Sequence, residues 1–232
     1  MPVSIIIPVY REQNNILKTL DTLNECLSSI PHEILVVDGE PGASTLAFLN
    51  AGPPVGNTVR LLASDRGRGP QMNAGAEAAK GDLFFFVHAD SHPNVHGVEE
   101  MITAWQNTGS DLFCGAFDLA IDSDKPVFRI IEKTASLRSR LTRIPYGDQG
   151  IFISRSLFEH VGGFPNQPIM EDVGLMAAVK KAGIEPTFLN SKMLTSARRW
   201  EAQGTIYTTL RNWVLITLYG LGVSPKKLST WY

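Results

Sequence analysis

Cysteine is scarce: the 232 residues include two, Cys26 and Cys114, far apart and both in apolar surroundings. That excludes a disulfide framework or a zinc cluster and leaves two reduced core thiols. Basic charge is not in surplus, with 21 Lys and Arg against 23 Asp and Glu and a net charge of -2. A nucleic-acid footprint needs a basic excess or stripe, so no nucleic-acid partner is expected. Long apolar runs are missing. Trp213 to Gly222 is too short to span a bilayer, and Arg211 and Asn212 interrupt any extension of it. No basic stretch with a small-residue cleavage site precedes the first apolar segment, so a soluble, cytoplasmic protein is expected, with room for contact at a membrane face. Linkers rich in Gly, Pro or Ser, low-complexity tracts and internal repeats are also missing, and a single domain over residues 1–232 is the simplest organisation.

What is present suits a sizeable core: 44% of residues are hydrophobic and 19% charged. Val3–Val9 is a continuous apolar run, as in a strand buried on both faces. Glu12–Leu27 has apolar residues at helical spacing, Glu33–Asp38 is a second strand, and Ser44–Asn50 a short helix capped by Ser44. Thr58–Ala63 is a third strand. Gly69–Lys80 is a helix ending at Gly81 as a C-cap, and Asp82–Val87 is a fourth strand. Four strands separated by helices predict βαβ units in an α/β, Rossmann-like, mostly parallel sheet flanked by helices. The second half predicts a strand at Leu112–Ile121, a helix at Pro126–Leu141, a strand at Gly150–Ser154 and a helix at Glu171–Lys181. It then predicts short strands at Glu185–Leu189 and Lys192–Ser196 and a last helix at Thr205–Leu221. Residues 1–92 read as a nucleotide-binding half, 93–200 as an acceptor half and 201–232 as a C-terminal helix.

Ligands of such sheets bind outside the carboxyl ends of the strands. Pro8–Glu12, Asp38-Gly39, Ser64–Arg68 and His88–Ser91 should therefore converge, presenting Glu12, Asp38 and Asp90. In extended geometry residues 88, 90 and 92 share a face. Asp90 there can hold a hard divalent ion against a diphosphate, or Asp90 or Ser91 can cap a helix over Asn94–Gln106. Glu171-Asp172 opens a helix, where two acids can serve the dipole or one can act as a general base.

Taken together, these segments resemble glycosyltransferase family 2. Ile5–Glu12 is similar to its opening strand and loop, and Val36–Gly39 to its second strand end. Gln71–Ala76, Gly81-Asp82 and Phe86–Asp90 are similar to its central helix and metal-site strand. Gly147–Phe152, Gly162–Phe164 and Glu171-Asp172 are similar to its acceptor-side motifs. Arg66–Asn73 and Pro225–Tyr232 look most like a bacterial subgroup associated with radical-SAM and selenium-domain genes. The resemblance implies a GT-A fold, a nucleoside-diphosphate-sugar donor, a divalent cation (Mn2+ or Mg2+) and inverting transfer to a hydroxyl acceptor. It implies Pro8, Tyr10 and Glu12 at the base and ribose, Asp38 on the base, and Asp90 as metal ligand. It also implies Asp172 as catalytic base with Glu171 beside it, and Arg68, Asn73, Asp148 and Arg199 among the substrate-binding residues.

Three departures bear on this. His88 stands where the family often has a second acid; Glu40-Pro41 follows the second strand instead of small residues; and Ser196–Trp200 keeps Arg-Trp but lacks the glutamine of processive members. Polymer synthesis is therefore not expected. A nucleotidyltransferase would carry a glycine-rich loop after the first strand, where Val9–Gln13 has no glycine. A dinucleotide-dependent dehydrogenase needs a third glycine where Met72 stands. A non-catalytic nucleotide-sugar-binding protein would keep Asp38 and Asp90 but need no base. The basic run Lys125, Arg129, Lys133, Arg138, Arg140 and Arg143 reads as a solvated face or as contact with an anionic lipid or phosphorylated acceptor. Trp213–Leu221 reads as a core-packed helix or a membrane foot. If both second readings hold, the acceptor is lipid-linked.

Overall fold

One eight-stranded sheet runs through the computed structural model, which describes residues 2–53, 56 and 58–232. β1 (Val3–Val9) pairs in parallel with β2 (His32–Asp38) on one side and β4 (Leu83–Phe86) on the other. β3 (Val59–Ala63) continues beyond β2, also parallel. Beyond β4 the sheet adds β7 (Phe152–Ser154), β6 (Cys114–Asp122), β8 (Thr187–Ser196) and the short β5 (Ser91–His92). β7 is antiparallel to both β4 and β6, β8 is parallel to β6, and β5 is antiparallel to β8. The parallel pattern thus holds for the first four strands, and the second half is mixed.

Alternation along the strands divides the core. Ile5, Ile7, Ile34, Val36 and Phe85 face α1 (Ile16–Cys26), α2 (Ser44–Ala51) and α4 (Val95–Asn107). Ile6, Leu35, Val37, Phe84 and Phe86 face α3 (Arg68–Ala78), α6 (Arg155–His160) and α7 (Glu171–Lys181). Burial on both faces is why these strands read as unbroken apolar runs. α5 (Pro126–Thr142) covers Leu119 and Ile121 through Phe128, beside Trp200 of α8 (Arg198–Gln203). α9 (Thr205–Gly220) and α10 (Pro225–Leu228) share a small cluster of Ile169, Leu215 and Leu228.

The chain leaves β1 toward β2 and β3, then returns to place β4 on the opposite side of β1. Loops after β1 and β4 therefore diverge and open a crevice at their carboxyl ends, the switch point where open α/β sheets bind ligands. The segments beginning at Tyr10 and His88 flank it.

Several expected details differ. Ser44 does not cap α2: Ala43 precedes the helix in the left-handed region (φ 44°), and the Asp38 carboxylate accepts from the Thr45 and Leu46 amides. Gly81 is not a C-cap, since α3 ends at Ala78. A Cβ on Gly81 would lie 2.7 Å from the Pro2 carbonyl oxygen, so close chain approach explains that glycine. Neither Asp90 nor Ser91 caps α4; Asn94 does, accepting from Gly97 N at 2.7 Å. Residues 88, 90 and 92 do not share an extended face, because a turn closes with Ser91 N donating to His88 O. The two short strands expected at 185–196 are one bulged strand, β8.

Gly115 on β6 sits where a Cβ would meet the Thr187 carbonyl oxygen at 2.2 Å and the Phe152 ring at 2.4 Å. Gly115→Ala should lower unfolding free energy by about 2 kcal/mol or more in urea titration, because backbone and a buried ring must both shift. Gly220→Ala, with open space around it, should stay within about 0.5 kcal/mol of wild type.

Candidate active site

The crevice at the strand ends is a cleft of about 490 Å³, within the range of small-molecule sites. Pro8, Tyr10 and Glu12 follow β1, Arg68 and Gln71 come from α3, and His88 and Asp90 follow β4. The opposite wall is Tyr146-Gly147-Asp148, Glu171-Asp172 at the start of α7, Arg198 and Arg199 on α8, and Asn212 and Ile216 on α9. Gln71 is buried and donates to the carbonyls of Val9 and Val37, both at 2.7 Å, which ties the ends of β1 and β2 together beneath the cleft.

On the β1/β4 side, one cation faces two acids. Arg198 Nη2 lies 3.3 Å from Asp90 Oδ2 and 3.3 and 3.4 Å from the two Glu12 oxygens. Pairing of β5 with β8 makes this reach available, since Ser196 N donates to Asp90 O at 3.2 Å just before Arg198. Tyr10 is half-exposed, its ring approached by Arg66 at 5.0 Å and Arg11 at 5.5 Å. His88 packs behind Gly147. Burial, with Arg68 and Arg199 adding, holds its imidazole well below the usual range, so it is neutral. His92 lies away from the cleft lining.

Among the described residues no group of three or more His, Cys, Asp or Glu is arranged to hold a metal. The donor set does not fit an all-protein cage. It fits a hard divalent ion that takes one or two carboxylates and completes its shell with phosphate oxygens and water. The guanidinium of Arg198 already shows that Asp90 and Glu12 together face positive charge.

Across the cleft, three more acids gather. Asp172 Oδ2 accepts from Gly147 N at 2.7 Å and Oδ1 from Val173 N at 2.8 Å, at the positive end of the α7 dipole. Glu171 is buried, with Arg68 at 4.0 Å, and burial followed by the Asp172 charge pushes it up to about 7. Burial pushes Asp148 up to about 6, with Arg138 opposing. The turn Gly147–Gln149 is set by buried Gln149, which accepts from Tyr146 N and donates to Phe117 O. Arg138 stacks 3.2 Å from the Tyr146 ring centroid. Arg199 contacts the Tyr232 hydroxyl, and burial, then Arg68 and Arg211, lowers its pKa.

Of the expected site residues, Pro8, Tyr10, Glu12, Arg68, Asp90, Asp148, Glu171, Asp172 and Arg199 come together here. Asp38 and Asn73 do not. Asp38 is fully buried, and its carboxylate is taken by the amides of Glu40, Thr45 and Leu46, so it anchors α2 to β2. Asn73 clips the loop before α7, donating to Phe164 O and accepting from Phe164 N. Tyr146, Asn212 and Ile216 were missed. Arg198, which precedes Arg199 in the Ser196–Trp200 string, sits at the centre of the acid pair. The basic run along α5 is largely structural. Lys125, Arg129, Arg140 and Arg143 pair with Glu201, Glu132, Asp118 and Glu185.

A switch-point cleft with a cation-facing acid pair, in one curled sheet flanked by helices, defines a GT-A-type α/β protein. The family model described as Glycosyl transferase family 2 matches residues 4–163, and the chain belongs to that family. Glycosyltransferase AglE of Haloferax volcanii is 25% identical over 193 residues, covering 80% of this chain and 64% of its own length. S. aureus TarS 1-349 in complex with UDP-GlcNAc superposes with a TM-score of 0.65 at 16% identity, covering 84% of this chain and 58% of that one. Mannosyltransferase PcManGT of Pyrobaculum calidifontis, in complex with GDP-Man and Mn2+, gives 0.59 at 20% identity, covering 83% and 56%. The two structures establish the fold, and the chain spans less than two thirds of each of these three proteins.

Raised carboxyl groups fix the sign of the pH dependence. Between the ordinary carboxylate range and about 6 to 7, the folded protein binds more protons at Asp148 and Glu171 than the unfolded chain. These two groups therefore remove stability as pH rises through that window. Glu171→Gln should melt above wild type at pH 8, where each 1 kcal/mol is worth roughly 2–4 °C, and match it near pH 4. Differential scanning calorimetry at the two pH values checks this.

Proposed function

We propose that this protein moves a sugar from a nucleoside-diphosphate-sugar donor to a hydroxyl acceptor by a single, inverting, non-processive displacement. The observation that carries the reading is the cleft's division: Asp90 and Glu12 facing positive charge at the β1/β4 switch point, and Asp172 opposite, at a helix N-terminus. Pro8, Tyr10 and Glu12 border the base and ribose. Asp90 would hold Mn2+ or Mg2+ together with the diphosphate, where such an ion would supply Lewis-acid stabilisation of charge developing on the leaving group. Arg68 and Arg199 supply further positive charge to that diphosphate. Asp172 accepts the acceptor's hydroxyl proton as the new bond forms on the face of the anomeric carbon opposite the leaving group. Glu171 and Asp148 line the acceptor side. One displacement inverts the centre. The altered string Ser196–Trp200 supports transfer of single sugars.

Two of the similar structures hold nucleotide sugars, one with Mn2+, and this supports a donor and cation of the same classes here. Arg66–Asn73 and Pro225–Tyr232 support the radical-SAM- and selenium-domain-associated bacterial subgroup. A cytoplasmic location agrees with the lack, among the described residues, of any helix long and apolar enough to cross a membrane.

The test has two arms. In thermal-shift titrations at about a hundred times Kd, one nucleoside diphosphate should add about 2.7 kcal/mol, only with Mn2+, and Asp90→Asn should abolish the gain. Asp172→Asn should bind nucleotide as wild type does but lose about 10²–10⁴ in kcat with the acceptor. Undiminished turnover in Asp172→Asn would overturn the base assignment and favour a binding protein or another base. No stabilisation by any nucleotide would overturn the donor reading.

A further inference from the structure

α9 has two unlike faces. Thr208 and Leu215 are buried, and Asn212 and Ile216 line the cleft. On the other side Ile206, Tyr207, Leu210, Trp213 and Val214 are 55–73% exposed, and Leu221 just beyond is 76% exposed. At 100° per residue the five helical positions fall within about 120° of the helix surface, a continuous apolar stripe. A core-packed helix would have buried it, so the expectation of a helix folded onto the core fails for this face.

Charge on this segment has one sign. Residues 202–232 contain no Asp or Glu and carry Arg211, Lys226 and Lys227. Arg211 flanks the stripe, 5.6 Å from the Tyr207 ring and 5.0 Å from the Tyr232 ring. Both lysines are exposed. Two of the chain's four tryptophans and three of its five tyrosines also lie here, the residues favoured at a membrane–water boundary.

We propose that the outer face of α9 seats on an anionic lipid bilayer, its apolar stripe in the interface and Arg211, Lys226 and Lys227 against the headgroups. An apolar stripe with flanking cations, on a helix too short to span, is the pattern of a helix lying in the interface plane. A symmetric pairing of two copies through the same face would bring like charges together with no acid on the segment to compensate. α5 also exposes Ile130, Leu137 and Leu141, but most of its cations are paired with acids, so it offers less free positive charge than the α9 side. Tyr232 borders both the Arg211 flank and the cleft, so docking would bring a lipid-linked hydroxyl acceptor to the mouth, a consequence that rests on the proposed transfer reaction.

Co-sedimentation with phosphatidylcholine vesicles, with and without phosphatidylglycerol, tests the docking in the absence of substrate. Wild type should partition onto the anionic vesicles and release at high salt. Leu210→Ser with Trp213→Ser should weaken partitioning about tenfold or more. Lys226→Glu with Lys227→Glu should weaken it on anionic vesicles only. Both variants should keep wild-type melting temperature and nucleotide-induced stabilisation, which separates failure of docking from failure of the transfer reading. Wild type that ignores anionic vesicles, variants that still bind, or a wild-type dimer that the serine variant dissociates would each overturn the proposal.

Discussion

Five carboxylates around one cleft need compensating positive charge, and the site's arrangement follows from where that charge comes from. Glu12, Asp90, Asp148, Glu171 and Asp172 share the lining with Arg68, Arg198 and Arg199. Burying a carboxylate without a partner costs several kcal/mol, and the group responds by holding its proton. On the more enclosed side burial pushes Asp148 up to about 6 and Glu171 up to about 7, so each keeps its proton to a higher pH than a free carboxyl. Asp172 instead draws on two backbone amides and the α7 dipole. Asp90 and Glu12 draw on Arg198, which is 55% exposed. A pairing that open to water is worth little, and in the proposed reaction a divalent ion bound with a diphosphate would replace it. The cleft thus holds one acid set answered from within the protein, by raised carboxyl groups at Asp148 and Glu171 and by amides and a helix dipole at Asp172, and one acid pair that faces a solvent-exposed guanidinium.

The sheet makes this division. The parallel half supplies the switch point, and Gln71 locks the ends of β1 and β2 beneath it. The mixed half turns back through β7, β6 and β8, so that the far strand delivers Arg198 beside Asp90, because β5 pairs with β8 directly after that acid. Residues more than a hundred positions apart therefore meet over a two-strand contact. α7 and the Gly147–Gln149 turn complete the opposite wall through Asp172 and Gly147.

Strand ends were legible because their signal is local. An apolar run closed by polar residues marks where a buried strand leaves the core, and the acids just beyond β1 and β4 reached the cleft. Asp38 had the same local signature and went elsewhere. Whether a strand-end acid faces the ligand or caps the next helix depends on how that helix is docked, and three amides of the following segment claimed it. Asn73 stood in a motif of the right kind but serves the backbone of Phe164, ninety-one positions away. Arg198 could not be placed without the β5–β8 pairing. For α9 the sequence left a core-packed helix and a membrane foot both open, because periodicity shows that a helix has an apolar face and not what covers it.

Anomalous diffraction at the manganese edge, from crystals grown with a nucleoside diphosphate and Mn2+, tests the central claim most directly. The expected result is one manganese peak bonded to the Asp90 carboxylate and to diphosphate oxygens, with the Arg198 guanidinium moved off Asp90. A diphosphate bound in the cleft with Arg198 still on Asp90 and manganese elsewhere would contradict it.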